Sequence, residues 1–200
     1  MPFVLTIDQI DSRRHGDRID AIVAELAPVR TRRPFTRTVG DEFQGLLDRP
    51  ASVVDAILIL MRGEGWHIGL GLGAVIEPVP SDIRTARGPA FVCARRAVEE
   101  AKTESSHLKL VAAREIDQET VDAETVFRLL AAVRSRRTPP GWEAVDLVRE
   151  GRTHAEVSAA LGISRQAVGQ RLAAAQWAVE EAAIPTLARL LDRADRVASQ

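Results

Sequence analysis

A chain in two parts, an α/β region followed by an all-helical region, is predicted by three observations. Short β-type apolar runs recur up to Ala113 with helical periodicity between them. From Gln118 onward only the helical period remains. Within that later part, Leu161-Gly162-Ile163-Ser164 separates two short helical stretches by a glycine and a fresh N-cap. The expected regions are therefore 1–117 and 118–200, with the helix-turn-helix pattern at 153–176.

The elements follow in order. Phe3 to Ile7 is a compact β-run ending at Asp8. Asp17 is placed to cap a helix in which Ile19, Ile22, Val23 and Leu26 recur at helical spacing before Pro28. Pro34 to Val39 and Phe43 to Leu47 read as antiparallel partners, with Gly40-Asp41 supplying the positive φ of a tight hairpin. Pro50 and Ser52 open a helix with Val53, Val54, Ile57, Leu58 and Met61 on one face, stopped by Gly63-Glu64-Gly65.

Trp66 to Ile76 reads as a strand carrying Gly69, Gly71 and Gly73 on one face. Three glycines on one face imply close approach by a ligand, a packed helix or a partner subunit. A helix is expected from Pro89 to Lys102 and a last strand from His107 to Ala113. The order is β-α-β-β-α-β-α-β, whose first six elements are those of the ferredoxin-like, split-βαβ arrangement with one open sheet face.

Composition excludes several functions. The 200 residues carry a net charge of −1, so nothing global draws the chain to nucleic acid or anionic membrane. Aromatics make up 4% with no Tyr, which argues against a stacking platform for single strands. The single Cys93 and four scattered histidines match no disulfide or zinc spacing. No apolar run approaches the roughly 20 residues that span a bilayer. The N-terminus does not read as a signal peptide, so a cytoplasmic location is expected.

In the split-βαβ arrangement the end of the first strand lies beside the hairpin tip. Asp8, Asp41 and Glu42 would then meet, and such carboxylates need a cation or a proton between them. Mg²⁺ or Mn²⁺ is the expected cofactor, and a solvated turn is the plain alternative. Arg13, Arg14 and Lys102 are placed to meet the phosphates of a nucleotide.

Two families share these residues. Arg37-Thr38-Val39-Gly40-Asp41-Glu42-Phe43 resembles the Arg-x-Gly-Gly-Asp-Glu-Phe signature (GGDEF) of diguanylate cyclases, with Val39 in place of the first glycine. Ala94 to Lys102 resembles a helix of that family, retaining Ala94, Ala97, Ala101 and Lys102. Phe91-Val92-Cys93-Ala94-Arg95-Arg96 is similar to the transition-state segment of class III nucleotide cyclases, with Arg96 matching and Val92 at the asparagine position. Both resemblances imply a palm-like fold and a metal pair at Asp8 and Asp41, with Arg96 and Lys102 catalytic if the site is active. The two valines imply a site that has lost efficient cyclisation. Over its whole length the chain resembles the SatD-like family of bacterial proteins, which joins such a region to a C-terminal helix-turn-helix.

Thr138-Pro139-Pro140-Gly141 reads as a stiff break between helices. Beyond it, Thr153 and Glu156 form a capping box, Gly162 ends that helix, and Ser164 starts the next. This resembles the helix-turn-helix of bacterial regulators. Ser164, Arg165, Gln166, Gln170 and Arg171 would face double-stranded DNA, Arg and Gln being suited to guanine and adenine edges. The stretch is locally neutral, so a homodimer, or help from Arg134, Arg136 and Arg137, would be needed for affinity. The last segment, with Pro185 bending or breaking it, reads either as a dimerisation helix or as one that packs back on the first domain.

The expected function is a DNA-binding regulator with a degenerate, cyclase-like sensor of a nucleotide effector. A metal-dependent cyclase or nucleotidyl transferase carrying a targeting module is the first alternative. A protein-interaction module is the second.

Overall fold

The computed structural model describes residues 2–63, 65–113 and 118–198. Glu64, read as part of a helix stop, lies outside them. The chain forms an α/β region with a five-stranded sheet followed by a helical region. It divides into two compact units, Met1–Arg128 with Pro185–Gln200, and Leu129–Ile184. No helix among the described residues is long and apolar enough to cross a membrane.

In the first unit the strands are β1 (Phe3–Gln9), β2 (Arg33–Arg37), β3 (Glu42–Leu47), β4 (Trp66–Leu72) and β5 (Leu108–Ala112). Their order across the sheet is β2-β3-β1-β4-β5. Neighbours are antiparallel except β4 and β5, which run parallel. The short α1 (Ser12–His15) and α2 (Ile19–Leu26) follow β1, and α3 (Pro50–Leu60) links β3 to β4.

Alternation along β1 assigns the faces. Phe3, Leu5 and Ile7 are fully buried on one side, where Phe43 stacks edge-on against Trp66 and Phe35 fills the space over Gly45. On the other side lie Val4, Thr6 and Asp8, opposite Gly71, Gly69 and His67 of β4.

That second face is not open, as the sequence had implied. It is covered by α4 (Pro89–Ala101), which lays the fully buried Ala90, Ala94, Ala97 and Ala101 on the sheet. The strand glycines are explained by this helix. A Cβ on Gly69 would stand 2.3 Å from the backbone nitrogen of Val98, and one on Gly71 would stand 2.2 Å from the Ala90 carbonyl oxygen. Small residues on both surfaces let backbone meet backbone. The strand ends at Leu72, short of Ile76, and Gly88 packs against the backbone of Ala74 and Val75 beyond it.

The helical part begins with α5 (Gln118–Arg134), then α6 (Pro139–Arg149), α7 (His154–Leu161), α8 (Arg165–Ala174) and α9 (Trp177–Ala198). The stretch read as a stiff break is the start of α6. Thr138 is its N-cap, accepting from the Gly141 N–H at 3.4 Å, and the prolines occupy positions where an N–H has no helical partner. Likewise α9 runs on through Pro185 instead of breaking there. In the second unit Ala144, Val145, Val157, Val168, Leu172 and Ala175 form the core joining α6, α7 and α8.

Beside that core, Glu180 is fully buried and receives ion pairs from three arginines. Arg134 reaches it at 2.5 Å, Arg137 at 2.8 Å, and Arg149 completes the set. The Arg137 guanidinium also donates to the Ala175 carbonyl just past α8 at 2.8 and 3.0 Å, and lies over the Trp142 ring. Burial, opposed by Glu180, brings the Arg134 pKa down to about 10, which keeps it charged at neutral pH.

Gly71→Ala should lower the unfolding free energy by about 2–3 kcal/mol through overpacking. Gly169→Ala, where a Cβ meets nothing within 4 Å, should raise it by up to about 1 kcal/mol. Glu180→Ala should cost about 3–5 kcal/mol by leaving buried guanidinium charge short of its carboxylate. Urea denaturation of each variant measures these differences.

Candidate functional site

Two places in the chain carry chemistry beyond packing. The first is at the end of the sheet, on the face that α4 covers. Asp8 pairs across β3 with Glu42 and across β4 with His67, and the Gln9 N–H donates to the Asp41 carbonyl at 3.1 Å. The hairpin turn is closed by Thr38 N–H to Glu42 O at 2.9 Å, with Gly40 at φ 62°. Asp8, Asp41 and Glu42 thus reach one end of the sheet.

Each of the three carboxylates has its own partner. Asp8 stands 3.6 Å from Lys102 Nζ, which also pairs with Glu99 at 3.1 Å. Asp41 accepts from Ser12 Oγ at 2.8 Å. Glu42 is buried, ion-paired with Arg95, and accepts from Thr38 Oγ1 at 2.8 Å. Among the described residues no three His, Cys, Asp or Glu side chains are grouped to hold a metal ion.

The donor set therefore does not fit a resident ion held by three carboxylates, because Arg95 has claimed Glu42. Asp8 and Asp41 are partnered by Lys102 and Ser12 instead, and carboxylate oxygens are the donor type that hard divalent cations take. Burial raises the Asp8 pKa, Lys102 opposes the rise and Asp41 adds to it. For Lys102, burial lowers the pKa but the Glu99 hydrogen bond and the Asp8 charge outweigh it. His67 is pushed down by burial and by His107, so its ring is neutral at pH 7.

Two other residues of this group lie at the surface. Arg96 lies on the exposed face of α4, 3.5 Å from Glu100, and Arg14 is exposed. The Arg13 side chain lies outside the described residues. Arg95 and Ser12 were missed by sequence reasoning. For Arg95 the signal was present: it stands seven residues before Lys102, two helical turns along the same face.

The second place is the α7–α8 turn. Thr153 and Glu156 form the reciprocal capping box, and the two hydrogen bonds from Thr153 hold the Glu156 pKa below the usual carboxylate range. Gly162 ends α7 in the left-handed region at φ 65°. Ser158 Oγ donates to the Ile163 carbonyl, tying the turn back onto α7. Ser164 caps α8, accepting from Ala167 N–H at 3.1 Å.

On α8, Val168 and Leu172 point into the core. Ser164, Arg165, Gln166 and Gln170 are exposed. Arg171 is half-buried and paired with Glu143 of α6 at 3.2 Å, not projecting freely. Arg134 and Arg137 cannot add charge to this surface, since both are buried against Glu180. Arg136 alone of the three is exposed.

The SatD family model matches residues 14–179, most of the chain. The chain belongs to the SatD family. No curated protein and no solved structure matches it. In this SatD-family chain the matched span holds Asp41, Glu42, Arg95, Lys102 and all of α6, α7 and α8, and begins after Asp8.

The raised Asp8 pKa gives a test of the sheet end. Folding takes up a proton where the folded pKa exceeds the unfolded one, so Asp8 lowers stability as pH rises through that window. Asp8→Asn should therefore be more stable than wild type at pH 7, with the gain fading as the pH falls below the ordinary aspartate range. Denaturation midpoints at pH 4 and pH 7 decide it; a variant weaker than wild type at pH 7 contradicts the assignment.

Proposed function

We propose that this SatD-family chain is a DNA-binding transcriptional regulator whose N-terminal unit is a degenerate nucleotide-cyclase-like sensor. The observation that carries this reading is the α7–α8 turn. Two short capped helices meet at a left-handed glycine, and the second exposes Arg165, Gln166 and Gln170 while burying Val168 and Leu172. That is the arrangement a helix-turn-helix needs to lay its second helix in the major groove.

The mechanism follows from side-chain chemistry. Gln166 and Gln170 are spaced to meet adenine edges, and Arg165 to meet a guanine or a phosphate. Ser164 and the start of α8 meet the backbone. Cationic charge on this surface is sparse, so one copy neutralises few phosphates and a homodimer supplies the rest.

For the N-terminal unit, the order β2-β3-β1-β4 with antiparallel neighbours supports a ferredoxin-like, palm-type sheet. Val39 and Val92, where the cyclase families carry glycine and asparagine, are 77% and 71% exposed. Apolar side chains at these positions support loss of turnover. In this reading Lys102 and Arg14 meet the phosphates of a nucleotide effector. Asp8 and Asp41 would hold its Mg²⁺ or Mn²⁺, which neutralises phosphate charge when bound.

Fluorescence anisotropy with duplexes from the chain's own promoter tests the DNA reading. Arg165→Ala and Gln166→Ala should each weaken binding by about tenfold or more while leaving the fold intact. Glu143→Ala should tighten it a few-fold by removing a negative charge and releasing Arg171. Absence of duplex binding at low salt, or equal binding by the α8 variants, would overturn the reading.

A further inference from the structure

Strand β5 is an edge of the sheet, and its free side would ordinarily accept another strand. Ile68 N–H donates to the His107 carbonyl at 2.8 Å and Ala113 N–H to the Leu72 carbonyl at 2.9 Å. Parallel ladder bonds skip alternate residues, so Leu108, Leu110 and Ala112 turn their backbone groups away from β4. These outward groups are where a second strand would pair.

Side chains of the same unit already take the central ones. The Leu110 N–H donates to Glu124 Oε2 of α5 at 2.8 Å, and the Leu108 carbonyl accepts from Ser106 Oγ at 3.4 Å. Glu124 is only 9% exposed. It is held by Lys109 at 3.3 Å and by Arg128 at 2.8 Å, and Arg128 reaches on to Glu104 at 2.9 Å. A carboxylate beside an edge strand has no apolar reason to be there; its place is fixed by the Leu110 N–H together with the two cations.

The opposite edge is blunted by other means. In β2, Pro34 has no N–H, Thr36 Oγ1 donates to the Pro34 carbonyl at 3.2 Å, and the register slips between Arg33 and Thr36.

We infer that Glu124 is the latch that closes the β5 edge against a second copy of this chain, occupying the donor through which two β5 strands would pair. Self-association of the native protein then runs through other surfaces. The inference stands apart from the DNA reading, since it concerns the sheet alone.

The test compares the full-length wild type with Glu124→Ala and Glu124→Gln by light scattering over a hundredfold range of concentration. Glu124→Gln keeps an acceptor and should retain the wild-type mass throughout. Glu124→Ala should gain mass with concentration, at least doubling at the upper end. A folded Glu124→Ala that keeps the wild-type mass overturns the inference. Should that variant fail to fold, hydrogen exchange of the wild type decides. The Leu110 amide should be protected at least a hundredfold over a free edge amide at the lowest concentration, and free exchange there overturns the latch.

Discussion

A single carboxylate sets the geometry of the second unit. Glu180 gathers Arg134 from the end of α5 and Arg137 from the following turn, both buried, and Arg149 reaches it from the exposed end of α6. Arg137 then reaches the Ala175 carbonyl, so the position of the end of α8 is tied to the same point. Buried ion clusters of this kind contribute little net stability but penalise every arrangement that separates their members. The three core helices bury few large side chains, and the cluster supplies the directional constraint that such a core lacks. It also takes Arg134 and Arg137 off the surface of the second unit.

The sheet is governed by a different constraint, the contact of backbone with backbone between β4 and α4. Gly69 and Gly71 on one side and the alanines of α4 on the other bring the helix close enough for its polar residues to meet the end of the sheet. Arg95 and Lys102 reach Glu42 and Asp8 as a consequence. A charge cluster that sequence reasoning treats as three carboxylates awaiting a metal is, in the folded chain, a set of three separately partnered groups.

Much of this was legible in the residues. Alternation and glycine placement identified the strands, and the Thr153–Glu156 box, Gly162 and Ser164 located the turn between α7 and α8, because these are local effects of backbone sterics and capping. Partners across the fold were less legible. Helical spacing predicted a Pro89–Lys102 helix but not that it would lie on the glycine face, since spacing alone does not say which surface a small-residue stripe meets. Arg134 and Glu180 sit on the apolar stripes of α5 and α9, in step with Phe127 and Leu130 and with Leu187 and Leu191. A charged residue in a core position signals a buried partner, whereas counting arginines as surface charge overlooked it. Pro139 and Pro140 misled in the opposite direction, because the feature that breaks a helix interior is well suited to its first turn.

The central claim is that α8 reads duplex DNA through Ser164, Arg165, Gln166 and Gln170. The most direct measurement is an amide and side-chain NMR titration of the full chain with a short duplex. Shifts concentrated on residues 164–170, with the core signals of Val168 and Leu172 holding their unbound pattern of contacts, are the predicted result. Shifts confined to other elements, or none at saturating duplex, would contradict it.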